Sequence, residues 1–187
     1  MAHPKQTFIE EAVTAFRGCW SLVVGRRDVA LYFDFSQRGL IGSLIAVLIA
    51  ILLAGFGPML FGASIPACMP TQSVIVNGAL FVAQAAMAWI VLRQMGRQDG
   101  FVPYLVASNW ITLMSGLLVL VSVLFGELGM IVLLMIVVLA LITFVNIWRF
   151  IVTLKPMQIG LLFVSQAVGV FLALGIVSIF LPPLPLP

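Results

Sequence analysis

The sequence predicts an all-α fold: an integral membrane bundle of five transmembrane helices, preceded by an N-terminal amphipathic helix lying in the membrane interface. Three observations carry this prediction. The chain is 63% hydrophobic and 8% charged, with a mean hydropathy of +1.25, whereas a soluble domain is nearer half apolar. Its apolar residues gather into five runs, each near the ~20 residues needed to cross ~30 Å of hydrocarbon. All nine Lys and Arg residues fall outside those runs, and every one can be placed on the same side of a membrane. Lys and Arg accumulate on the cytoplasmic side, so the expected orientation is N-terminus inside and C-terminus outside. The expected compartment is a bacterial inner membrane.

Residues 1–38 form the expected cytoplasmic and interfacial segment. Between residues 5 and 25, Phe8, Ile9, Ala12, Val13, Phe16, Cys19, Trp20, Val23 and Val24 recur at steps of three and four, the period of an amphipathic helix. Lys5, Gln6, Glu10, Glu11, Thr14 and Arg17 occupy the other face. Such a helix is too polar to span and suits the interface, or the docking of a soluble partner. Arg26 and Arg27 follow it. The aromatic stretch DVALYFDFSQR ends in Arg38, with Asp34 or Ser36 available to cap the first crossing by accepting its unpaired N–H groups.

The transmembrane domain is expected over 39–181, with spans at about Gly39–Phe56, Ser73–Leu92, Phe101–Phe125, Leu128–Trp148 and Met157–Leu181. All must be helices, because an open strand leaves its backbone unsatisfied in lipid. An uncharged outer loop, GFGPMLFGASIPACMPTQ, follows the first span, and FGELG makes a tight hairpin of the third and fourth. The inner connections carry Arg93 and Arg97, then Arg149 and Lys155. Together with Arg26, Arg27 and Arg38 these are topology determinants and contacts for anionic headgroups. Pro103 fits the first turn of its helix, Tyr104 is expected as an interface anchor, and the Trp110 indole needs a partner. Four prolines in 182–187 end the chain in a short extended outer tail.

Chemistry-bearing residues are few. Inside the expected spans there is no Asp, Glu, Lys, Arg or His, the groups on which proton relays and ion-coupled carriers rest. The single histidine, His3, lies near the start. No metal-ligand spacing, phosphate loop or nucleophile–base set can be assembled, so no cofactor is expected and the chain is expected not to be an enzyme. Cys19 and Cys68 fall on opposite sides of the bilayer in this topology. The positive charge is a topology signal and implies no nucleic-acid partner.

Two residue sets remain. Gln84, Asn109 and Gln166 share a depth of roughly 12–14 Å from the inner surface, at ~1.5 Å per residue. Ser108 and Thr112 accompany Asn109, Asn146 and Thr143 lie nearer the inner edge, and Asn77 stands alone toward the outer edge. This polar layer serves either as hydrogen-bonding glue between helices or as a polar pathway open to the cytoplasm. Small residues recur every four positions at Ser165, Gly169 and Ala173, at Ser108, Thr112 and Gly116, and at Ala79 and Ala83. Such stripes let helix backbones approach, within the bundle or against a partner.

The segments RQDGFVPYLVASNW at 97–110, AFRGCW at 15–20 and YFDFS at 32–36, on a five-span chain with a cytoplasmic lead and a short outer tail, resemble the bacterial, often alphaproteobacterial, members of the Yip (Rab-interacting) family. Eukaryotic members are linked to vesicle traffic and small GTPases, but their cytoplasmic signature motifs are absent here, and no functional residue is carried over. The resemblance implies the same topology and a non-enzymatic role. The function expected is therefore an accessory, scaffold or assembly component of a membrane complex, partnered by the lipid bilayer and by another membrane protein or further copies of itself. The alternative is a small transporter or channel using the neutral polar layer.

Overall fold

The computed structural model describes residues 7–62, 66 and 68–180. His3, Lys5, Gln6, the Pro-rich tail and most of the centre of the first outer loop lie outside these residues. The described chain is helical, with no strand among the described residues. Its helices are α1 (Phe8–Val24), α2 (Gln37–Leu60), α3 (Cys68–Gln94), α4 (Phe101–Ser122), α5 (Gly129–Asn146) and α6 (Pro156–Phe180). The last five, α4 and α5 counted with their adjoining short turns, are long and apolar enough to cross a membrane.

Local chemistry sets the helix ends. Thr7 and Glu10 form a reciprocal capping box at the start of α1: the Glu10 N–H donates to Thr7 Oγ1 (3.3 Å) and the Thr7 N–H to Glu10 Oε2 (2.8 Å). At the start of α2 both expected caps act in series. The Ser36 N–H donates to Asp34 Oδ1 (2.9 Å), and the Gly39 N–H donates to Ser36 Oγ (3.4 Å). Between α4 and α5 the hairpin turns through Val123–Leu128, with Gly126 at φ +54°. After α5 a π-turn at Ile147–Ile151 is closed by the Val152 N–H donating to the Ile147 carbonyl. The β-branched Thr153 follows at φ +59°, a conformation costing about 1–3 kcal/mol, and α6 then starts on Pro156.

The chain divides into two compact units. One is the chain up to Ala50 together with Asp99–Lys155; the other is Ile51–Gln98 together with the chain from Pro156 onward. Helix α2 contributes to both. In the first unit α1 packs against α4 and α5, which also pack on each other. In the second unit α3 packs along α6.

The buried face of α1 is lined mostly by small residues. Ala15, Gly18, Cys19, Ser21 and Leu22 face the unit, while Ile9, Val13, Trp20 and Val24 are exposed. Small residues allow close approach, so they take the contact. Tyr104, expected as an interface anchor, is buried and stacked on Trp148, with ring centroids 4.2 Å apart, so it packs within the unit. Trp110 is buried and meets Phe8 of α1 at 5.8 Å.

The first outer loop is shorter than expected. Helix α2 continues four residues past Phe56, through Pro58, and α3 begins at Cys68. Pro58 has no N–H to give the Ala54 carbonyl one turn back. Ser73 Oγ of α3 donates to that carbonyl instead (3.2 Å). Asn77 is therefore not alone: its Nδ2 donates to the Ser73 carbonyl (2.8 Å) and to Ser73 Oγ (3.3 Å).

The small-residue stripes are unequal. A Cβ on Gly169 would stand 2.5 Å from Met87 Cγ and 3.5 Å from the Ala83 carbonyl oxygen, whereas one on Gly116 meets only Ala50 Cβ at 4.0 Å. Gly169→Leu should therefore destabilise the second unit by about 1–3 kcal/mol, read as a lower Tm in detergent. Gly116→Ala should leave the Tm unchanged; equal losses from both variants would contradict this packing.

Candidate functional site

The polar residues of the first unit are tied into it by hydrogen bonds. Asn109 is 1% exposed. Its Nδ2 donates to Ser43 Oγ of α2 (3.1 Å), and that hydroxyl donates to the Leu40 carbonyl (2.8 Å). An interhelical bond of this kind contributes about 0.6–2 kcal/mol in a membrane protein. Ser108 and Thr112 do not join it. Ser108 Oγ donates to the Leu105 carbonyl (3.1 Å) and Thr112 Oγ1 to the Ser108 carbonyl (2.8 Å), each back into α4.

Asn146, at the end of α5, donates from Nδ2 to the Leu22 carbonyl in the last turn of α1 (2.7 Å). The same carbonyl accepts the Gly25 N–H (3.1 Å). This places Asn146 at a helix C-terminus, where carbonyls otherwise lack partners, and so fastens α1 to α5. Thr143 is buried one turn earlier and donates to the Leu139 and Ala140 carbonyls (2.9 and 3.0 Å). Beside it Cys19, Val23, Met114 and Leu139 line an apolar cavity of about 40 Å³. Burial pushes the Cys19 thiol up to about 12, so it stays protonated and is a poor nucleophile.

Gln84 and Gln166 belong to the second unit. Gln84 is half-buried on α3 and Gln166 is buried on α6. On α6, Ser165 is half-buried with its hydroxyl turned to the Leu161 carbonyl, and Ala173 is buried. The five residues of the expected polar layer are thus divided, with Asn109, Thr112 and Asn146 in one unit and Gln84 and Gln166 in the other.

The basic residues sit at helix ends and turns. Arg38 lies in the first turn of α2 and Arg93 in the last turn of α3. Arg26 Nε reaches Asp28 Oδ1 at 3.4 Å, and Arg149 lies over the Phe150 ring at 5.2 Å. Arg27 is exposed, Arg97 half-buried and Lys155 exposed.

Three functional contacts escape sequence reading. Ser43 carries no pattern that pairs it with a residue in α4. Ser73 becomes meaningful only once Pro58 is known to lie inside a helix. Glu11, expected on the polar face of α1, turns inward over Gly42, where an added Cβ would stand 2.5 Å from Oε1. That oxygen is buried without a hydrogen-bond partner among the described residues. Burial, and then the Asp34 carboxylate, raise the Glu11 carboxyl above its usual range, against the opposing Arg38 guanidinium.

Among the described residues no three His, Cys, Asp or Glu gather as a metal site. Fold and site together define a multi-pass α-helical membrane protein. No family model matches the chain, and no curated protein or solved structure is significantly similar to it.

The raised Glu11 carboxyl links folding to pH. The fold favours its protonated form, so Glu11 contributes stability that is present below the ordinary carboxylate range and lost as pH rises through its raised value. Glu11→Gln should raise the Tm at neutral pH and flatten its rise on mild acidification. A variant no more stable than the parent at neutral pH would exclude this linkage.

Proposed function

We propose that the chain is a non-catalytic accessory or scaffold component of a membrane complex. One observation carries the reading. The amide side chains of the first unit's polar layer are engaged in joining its helices, Asn109 to Ser43 and Asn146 to the Leu22 carbonyl. The wide apolar surface left outside supports it. Most residues of α5 are exposed, while those of α3 are mostly half-buried, so α5 in particular offers its surface to lipid or to another membrane helix. As part of this proposal the chain is placed among the bacterial Yip-like five-span proteins on residues 97–110, 15–20 and 32–36.

The test is native mass spectrometry of the protein extracted from its own membrane in mild detergent. A stable heteromeric assembly is the expected result. A lone monomer whose solute flux is abolished by Gln84→Leu or Asn109→Leu would replace the reading with a small transporter.

The proposal includes a bacterial inner membrane and an N-terminus on its cytoplasmic side. Cys68 is exposed and Cys19 buried, which gives a direct check. An impermeant maleimide applied to spheroplasts should label Cys68 and leave Cys19 unreacted. Labelling of Cys68 only after the membrane is opened would reverse the orientation.

A further inference from the structure

Helix α1 and the turn after it build a second feature, independent of the polar layer. Gly25 closes α1 at φ +74°, and the Arg26 N–H donates to the Ser21 carbonyl (3.0 Å), so the chain reverses and Val29–Tyr32 returns along the helix as a short tight turn. Gly18 permits the return: a Cβ there would stand 2.9 Å from Tyr32 Cβ and from the Phe33 ring. The result is an open groove of about 580 Å³, with Val13 and Trp20 on one side, Tyr32 on the other, and Arg17 and Arg26 along it.

The groove matches an amphipathic anion. Two guanidiniums present planar donor sets suited to phosphate oxygens. Asp28 leans on Arg26 at 3.4 Å, but their side chains are 40% and 60% exposed, and an ion pair that open to water contributes little. A phosphate can therefore displace it. The apolar half of the ligand is dictated by the same helix face. Ile9, Val13, Trp20 and Val24 are 73%, 50%, 64% and 59% exposed and run along α1 beside the groove. Trp and Tyr favour the headgroup level of a bilayer, with their apolar rings toward the acyl chains.

We propose that this groove binds a phospholipid with an anionic headgroup, its phosphate between Arg17 and Arg26 and its acyl chains along the exposed stripe of α1. The inference rests on α1 lying along the membrane surface. It goes beyond general attraction of basic residues to the inner leaflet, because it assigns the ligand to two arginines and not to the whole set.

The experiment measures lipid retention by native mass spectrometry on the full chain in mild detergent, titrated with phosphatidylglycerol or phosphatidylcholine. The parent should retain phosphatidylglycerol selectively. At about 1 kcal/mol per basic residue, R17Q/R26Q should weaken that binding about thirtyfold, while R93Q/R149Q, equal in charge change but outside the groove and removing only general headgroup attraction, should weaken it far less. Circular dichroism and gel filtration establish that each variant is folded; should R17Q/R26Q misfold, W20A replaces it and is expected to lose phosphatidylglycerol in the same way. Equal retention of both lipids by the parent would overturn the proposal. So would equal losses from the two arginine pairs, which mean general electrostatics. Competition by millimolar inorganic phosphate as effective as by the lipid would also overturn it, leaving an anion site without lipid specificity. The Cys68 labelling assay reports orientation separately, so failure of the lipid site and failure of the topology are distinguishable.

Discussion

A buried polar group in a membrane-spanning bundle finds its partners within the protein or goes without, since lipid offers neither donor nor acceptor. The Pro58 turn shows the constraint most directly. A proline inside α2 removes one backbone N–H and leaves the Ala54 carbonyl without its helical donor. Ser73 supplies the donor from the next helix, and Asn77 engages Ser73 in turn. The crossing of α2 over α3 is thereby tied to a backbone defect in α2. Gly55 lies at the same crossing, where a Cβ would stand 2.7 Å from the Pro70 carbonyl oxygen. Proline, glycine and serine here form one device: the first breaks the ladder, the second permits contact and the third repairs the loss.

The same rule organises the first unit. Asn109 donates to Ser43, whose hydroxyl donates to the Leu40 carbonyl, and Asn146 donates to a carbonyl at the end of α1. Among the described residues two groups go without. The Trp148 indole N–H is buried without a hydrogen-bond partner among these residues, although its ring is stacked on Tyr104. The Glu11 carboxylate oxygen is buried over Gly42, and the consequence is a carboxyl pushed toward its neutral form. Both lie beside irregular backbone or helix ends, Trp148 in the π-turn that closes α5 and Glu11 against the start of α2.

Spans and caps were legible because they depend on composition and on local spacing. The five apolar runs match α2 to α6, and the Asp34–Ser36 cap lies where the charge pattern stops. Longer-range features were not. Pro58 reads as a helix breaker until a donor nineteen residues away in sequence is brought to Ala54. The depth coincidence of Gln84, Asn109 and Gln166 is a one-dimensional measure, and it carries no information on which helices share a packing unit. The inward turn of Glu11 was hidden by its neighbours. Glu10 caps the helix from the outside, and a single turn carries both carboxylates.

The small-residue seam of α1 fits the interfacial placement proposed for it. In water a helix buries its largest apolar side chains, because the gain grows with the area removed from solvent. Where lipid is available that gain disappears, since acyl chains are as apolar as leucine, and helix contacts are decided by close approach and hydrogen bonds. Ala15, Gly18 and Cys19 provide the approach, and the Asn146 bond to Leu22 supplies the fastening. The large residues Ile9, Val13, Trp20 and Val24 are then left outside, an arrangement that would be costly for a soluble helix and costs nothing against a membrane. On the proposed interfacial placement of α1, the exposed stripe and the small-residue seam are two consequences of the same solvent.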